Sequence, residues 1–306
     1  MKNLNFIALI LVLFASCAGN EQVQQGKDSV ENKTVRISID ESFEPVMKEQ
    51  LKVFEAAYPD AKLIAEYKPE AECLRDMQKD STKIVIISRE LSREETAFFQ
   101  NKISYKPEFA QLAQDAVAVI INTENKDSAF TVNDLKNLLS GKGDSKVNVA
   151  IDGNTATSTV RYLKDSLLKG GNFGKNITGA KNSEELVKYI ANTPGAIGFV
   201  GVSWITDPQT EEQEQLLKKV KMAMVECNRN CEKDEYAKPS QQTITFGQYP
   251  LVRGLYYVLK ENYAGMGSRV IFFLSTERGQ LIFRRASLVP AKMSFTRRRT
   301  SITQSK

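Results

Sequence analysis

Three short stretches carry the residue types that hold a small anion. Ser42 and Phe43 lie between the alternating run Thr34 to Ile39 and Pro45, Ser88 and Arg89 follow the apolar run Ile84-Val85-Ile86-Ile87, and Thr157-Ser158-Thr159 with Arg161 follow Asp152-Gly153. Hydroxyls, N–H groups at helix starts and a fixed guanidinium are all donors, and donors are what an oxyanion requires. Each stretch also has a purely structural reading. Ser42 suits a helix cap and a ligand contact equally, Ser88 with Arg89 can be a cap beside a solvated arginine, and a hydroxyl-rich helix start needs no ligand. Arg161 falls on a first helical turn, where it aims either into a cleft or outward.

The same inventory excludes other chemistries. The chain has no histidine, so Ser-His-Asp and Cys-His hydrolases and His-bearing zinc sites are out. Ser88 and Ser158 lack an imidazole base, and no lysine stands at a spacing that would replace one. No GxxxxGK[ST] phosphate loop occurs. The reading is a non-enzyme that needs no metal or cofactor. A net charge of +5 is too modest to imply a nucleic-acid partner. The charge is unevenly spread, with 11 Lys and Arg against 2 acids from Phe246 onward. Arg297-Arg298-Arg299 lie in a polar tail, residues 293–306, that reads as a solvated terminus.

The elements that must position these donors read as α/β. At 306 residues, with 42% hydrophobic and 26% charged, the chain is long enough for two lobes, each with its own core. Strand patterns at Thr34 to Ile39, Leu63 to Tyr67, Ile84 to Ile87 and Asp115 to Asn122 alternate with helical periodicity at Glu44 to Tyr58 and Val132 to Leu139. A second block repeats the alternation. Strands are expected at Val147 to Ile151, Ala196 to Val200, Thr243 to Phe246 and Leu255 to Leu259. Helices are expected at Thr159 to Leu168, at Ser183 to Asn192 with Ser183 as its capping residue, and from Val270.

The first 16 residues read as an export signal. Met1-Lys2-Asn3 precedes the apolar run Phe6 to Phe14, which is too short to span a bilayer. Leu13-Phe14-Ala15-Ser16-Cys17 resembles the bacterial lipoprotein signal, in which the cysteine is acylated, so Cys17 is expected to anchor the chain to a lipid bilayer. Residues 17–33 are polar and read as a tether. In an oxidising compartment Cys227 and Cys231, in a polar loop, are expected to form a local disulfide, and Cys73 to be a buried thiol.

Several stretches in order resemble the phosphate-binding protein family of ABC importers. They are Ser88-Arg89-Glu90-Leu91 with Glu94-Glu95, Asp115 to Asn122 with Leu135 to Gly141, Thr193-Pro194-Gly195-Ala196-Ile197-Gly198-Phe199, Tyr249-Pro250-Leu251-Val252-Arg253, and Leu274 to Gln280 with Leu288-Val289-Pro290. The resemblance implies a two-lobed type II periplasmic-binding-protein fold, each lobe a mixed sheet flanked by helices, joined by a two-strand hinge. Residues 34–118 and 247–292 would form lobe 1, and residues 119–246 lobe 2. It implies a ligand-binding cleft holding phosphate or a related oxyanion through Ser42, Phe43, Ser88, Arg89, Thr157, Ser158, Thr159 and Arg161, with a membrane permease as partner, at a periplasmic or cell-surface location. Three places depart from the family pattern: Gly153 stands where the family has an arginine, Asp40 and Glu41 occupy a Gly/Ser-rich loop, and Glu70-Ala71-Glu72-Cys73 replaces a glycine-serine turn. These acids leave open a ligand with a cationic group, met by Glu41, Glu70 or Glu72, and an interaction protein that has kept the fold without capturing a ligand.

Overall fold

A computed structural model describes residues 33–143, 147–153 and 157–293. The export segment, Cys17, almost all of the tether and the arginine triplet of the tail lie outside those residues.

The elements follow one another as strand and helix through most of the chain. Strand β1 (Thr34–Asp40) passes through a 3-10 turn (Glu41–Phe43) into helix α1 (Glu44–Ala57), then come β2 (Lys62–Lys68), α2 (Glu70–Asp76), β3 (Thr82–Ile87), α3 (Arg93–Ile103) and the long β4 (Glu108–Asn122). The middle of the chain contributes β5 (Ala129–Phe130), α4 (Val132–Ser140), β6 (Val149–Asp152), α5 (Ser158–Ser166), β7 (Ile177–Ala180), α6 (Ser183–Asn192) and β8 (Ile197–Gly201). After α7 (Ser203–Thr206), α8 (Glu211–Leu217), β9 (Val220–Met222), β10 (Met224–Glu226), β11 (Tyr236–Ala237) and α9 (Gln241–Thr245), the chain returns through β12 (Val252–Leu259), α10 (Met266–Ser275), α11 (Glu277–Arg285) and β13 (Val289–Pro290).

One mixed sheet organises these pieces, in the order β2-β1-β3-β12-β4-β8-β6-β7, with β13 and β9 also paired to β4. β1 is parallel to β2 and β3, β6 is parallel to β7 and β8, and β12 and β8 run antiparallel to β4. Strand β4 changes partner halfway. Glu108 to Ala116 pair with β12, and Val117 to Ile121 pair with β8. The returning chain crosses at the same place, since Val117 N donates to Leu251 O at 2.9 Å and Tyr249 Oη to Val117 O at 2.8 Å.

The continuous apolar runs are explained by helices on both faces of this sheet. In β3, Ile84 and Ile86 join a core with Phe43, Phe54, Leu255 and Phe283, while Val85 and Ile87 face Cys73, Met77 and Phe99. In β4, Val117, Val119 and Ile121 pack against α4 and α5, and Ala118 and Ile120 against α6.

Two local expectations are corrected. Residues 243–245 lie in α9 rather than a strand, because Ser240 and Thr243 form a reciprocal capping box that starts a helix and overrides the β-branched preference of Thr243-Ile244-Thr245. Helix α6 is capped by Asn182, whose side chain accepts from Glu185 N at 2.9 Å. Ser183 instead donates its hydroxyl to Asp152. Cys227 and Cys231 form a disulfide, and Cys73 is a buried free thiol.

The join between α10 and α11 depends on a missing side chain. A Cβ on Gly279 would meet Phe273 O and lie 2.6 Å from Leu274 Cα, backbone atoms that have nowhere to go. Overpacking of this kind costs about 1–3 kcal/mol. Gly279→Ala is therefore expected to lower the melting temperature by several degrees, and an unchanged melt would show that the two helices stand further apart.

Candidate functional site

Strands β1 and β3 and, running the opposite way, β6 all release their carboxyl ends toward the middle of β4, where that strand changes partner; the carboxyl ends of strands are where open α/β sheets gather ligands. β1 ends in Asp40 and the buried turn Glu41-Ser42-Phe43, β3 is followed by Ser88, and β6 ends in Asp152 ahead of Thr157-Ser158-Thr159. Strand β12 adds Arg253 from the middle of the sheet, and α2 adds Glu70 from its first position.

These residues meet. Ser42 Oγ lies 2.9 Å from Ser158 Oγ, across 116 residues of sequence. Arg253 Nη1 donates to Ser158 Oγ at 2.9 Å and Thr159 Oγ1 at 3.3 Å, and its guanidinium stands over the Phe43 ring, 5.0 Å from the centroid. Its Nε donates to Asp115 Oδ2 at 2.8 Å. The two side chains of that ion pair are 2% and 1% exposed, so it is sealed from water. Asp152 gathers the start of α5, accepting from Thr157 at 3.1 Å, Thr159 at 2.8 Å and Ser183 at 3.2 Å. Thr157 is itself the α5 cap, its hydroxyl accepting from Val160 N.

A second cluster adjoins the first. Glu70 Oε1 accepts from Ser88 N at 2.9 Å and Ser88 Oγ at 2.8 Å, and Glu70 Oε2 accepts from Arg161 Nε at 2.6 Å. Arg161 Nη2 also donates to Ser88 Oγ at 2.7 Å.

Ser42, Phe43, Ser88, Thr157, Ser158, Thr159 and Arg161 are thus brought together. Arg89 is not: both of its terminal nitrogens donate to Glu95 at 2.7 Å, and the cationic position beside Ser88 is taken by Arg161. Glu72 also turns away, toward Arg75 on the surface of α2. Ser42 caps no helix. Phe43 occupies the N-cap position of α1 without a side-chain bond, while Ser42 donates its N–H and hydroxyl to Asp40 Oδ1. Arg253 and Asp115 were missed as site residues. Their signal is one charge of each sign set within apolar strand runs, Leu251-Val252-Arg253-Gly254-Leu255 and Asp115 to Ile121, where an unpaired charge would not be tolerated.

The electrostatics are unusual for an anion site. Burial pushes the Asp40 carboxyl up to about 7, with the Glu70 charge adding to it and Arg253 opposing. Burial likewise takes Glu41 to about 8, reinforced by Asp152 and Asp40, and Asp152 to about 6 against the pull of Thr159. Burial works to raise Glu70 as well, but the Arg161 bond and charge and the Ser88 donors hold it below the usual carboxylate value. Glu70 is therefore ionised at neutral pH, and Glu41 is mainly protonated. A protonated carboxyl is an O–H donor, so Glu41 and a half-protonated Asp40 can add to the donor set. Asp40 Oδ2, Glu41 Oε1 and Arg253 Nη2 are buried with no hydrogen-bond partner among the described residues. The arrangement can hold a small, hydrogen-bonding anion between two groups of strands, and it offers no nucleophile with a base.

Comparison with known proteins bears on the family and the fold. A family model described as a PBP superfamily domain matches residues 21–277. The phosphate-binding protein PstS of Pseudomonas aeruginosa is 27% identical over 195 residues, 57% of this chain and 56% of that protein. The chain thus matches little more than half the length of that relative. Among solved structures, a substrate-binding protein of Clostridium perfringens with bound phosphate superposes with a TM-score of 0.68 at 20% identity, covering 85% of this chain and 100% of that one. An ABC-type phosphate transport receptor of Vibrio cholerae superposes at 0.60 and 16% identity, covering 83% of this chain and 99% of that one. The shared fold is the α/β arrangement of type II periplasmic binding proteins. These relatives are named as binding and transport-receptor proteins. The chain belongs to the PBP superfamily, as a distant homologue of the PstS phosphate-binding proteins.

Proposed function

We propose that this protein is a lipid-anchored extracytoplasmic solute-binding protein that captures phosphate or a related oxyanion and hands it to the permease of an ABC-type importer. Residues 34–118 and 247–292 act as one lobe and residues 119–246 as the other, with the middle of β4 and the returning segment before β12 as the two hinge strands. Cys17 carries the lipid.

One observation supports this reading above the rest. Hydroxyl and guanidinium donors from opposite ends of the sheet, Ser42, Ser158, Thr159 and Arg253, converge within hydrogen-bond distance of one another. Such a convergence of donors matches what the relatives are named for. The cationic-ligand reading loses its footing, because Glu70 is engaged by Arg161, Glu72 faces Arg75 and Glu41 is largely uncharged.

Binding to the folded state alone raises stability by about 2.7 kcal/mol at a hundredfold excess over Kd. Millimolar phosphate is therefore expected to raise the melting temperature by several degrees, increasing with concentration. Absence of any shift with phosphate, arsenate and sulfate would remove the proposal.

A further inference from the structure

Glu70 sits where the donors of an oxyanion site point. Its carboxylate takes a backbone N–H and a hydroxyl from Ser88 and two guanidinium nitrogens from Arg161, at 2.9, 2.8, 2.6 and 3.4 Å. A backbone amide, a hydroxyl and a forked guanidinium form the kind of donor set that recognises phosphate or sulfate. The glutamate side chain is 3% exposed, while that of Arg161 is 31% exposed. The contact also spans the sheet, with Glu70 and Ser88 following β2 and β3 while Arg161 comes from α5 on the far side of β4.

We propose that Glu70 is an internal competitor for the oxyanion site, a tethered carboxylate that occupies the Ser88 and Arg161 donors and that an incoming anion must displace. It sets the affinity of the site and, with it, the concentration of anion at which the protein fills. This rests on the oxyanion reading of the cleft. A purely architectural ion pair would behave oppositely, since its loss would loosen the cleft and weaken binding; the sign of the effect separates the two roles.

The test is calorimetric titration of the full chain with inorganic phosphate and with sulfate at pH 7.5, comparing wild type, Glu70→Ala and Glu70→Gln, each checked by its melting transition. Freed from breaking charge-assisted bonds first, Glu70→Ala should bind about tenfold or more tightly than wild type. Glu70→Gln, which keeps an acceptor but not the charge, should fall between them. If Glu70→Ala does not fold, the glutamine variant decides by the same criterion. Equal or weaker binding by the variants, with wild type binding phosphate, overturns the competitor role and leaves the oxyanion reading intact. Binding by a variant but not by wild type supports the competitor and overturns the reading of wild type as a phosphate-capturing protein. Folded proteins that all fail to bind overturn both.

Discussion

Arg253→Met is expected to destabilise the protein by about 3–5 kcal/mol, the usual cost of removing one partner of a buried ion pair and leaving the other charge stranded. Asp115 is 1% exposed in the pair and has no water to turn to. The same substitution strips Ser158 and Thr159 of their cationic donor and uncovers the Phe43 ring. The loss falls where it matters most, since Arg253 pairs with Asp115 in the ladder one residue before β4 changes partner from β12 to β8. Chemical denaturation would measure it. A companion variant, Arg253→Met with Asp115→Leu, removes both charges and should recover most of the stability, because apolar replacement of a whole buried pair is often close to neutral. That folded double variant should still show no phosphate-induced thermal shift. Stability within 1 kcal/mol of wild type for Arg253→Met alone, or a retained shift in the double variant, would mean that Arg253 is not the cation of the cleft.

Much of the scaffold is readable from periodicity because burial dictates it. Ile84 to Ile87 must be apolar on both sides, since one side meets Phe43 and Phe54 and the other Cys73 and Phe99. The site is less readable, for a physical reason. Loop-borne hydroxyls after strands, such as Ser42, Ser88 and Thr157, announce themselves by position, and the structure gathers them. Which arginine faces them depends on long-range pairing that local sequence does not encode. Arg89 follows Ser88 directly yet turns onto Glu95, 6 residues ahead in the first turn of α3, whereas Arg161 and Arg253 arrive from 73 and 95 residues away in sequence to meet Ser88 and Ser158. The acids at Asp40 and Glu70 look hostile to an anion when read as free charges. In the fold one is pushed toward its neutral form by burial and the other is neutralised by Arg161.

Stability should fall as the pH rises from about 5 to about 8. The groups that titrate there are buried acids. Asp40 is raised to about 7 and Glu41 to about 8, each chiefly by burial, and Asp152 to about 6, while in an unfolded chain all three ionise near 4. Between those limits the folded protein holds protons that the unfolded chain has released. Stability is therefore fully present below the unfolded values and is lost as the pH passes through the folded ones. Glu70 and Asp76, both lowered, act in the opposite sense and weaken the fold only below about pH 4. Lys260, lowered to about 8, contributes only above the window. With no histidine in the chain, no imidazole titration overlays the slope. Melting temperatures measured at constant ionic strength should drop by several degrees between pH 5 and pH 8, and Asp40→Asn with Glu41→Gln should flatten the curve. A melting temperature that climbs over the same interval would show that these carboxyls are ionised and solvated in the folded protein, and that the donors around Ser42 and Ser158 face water.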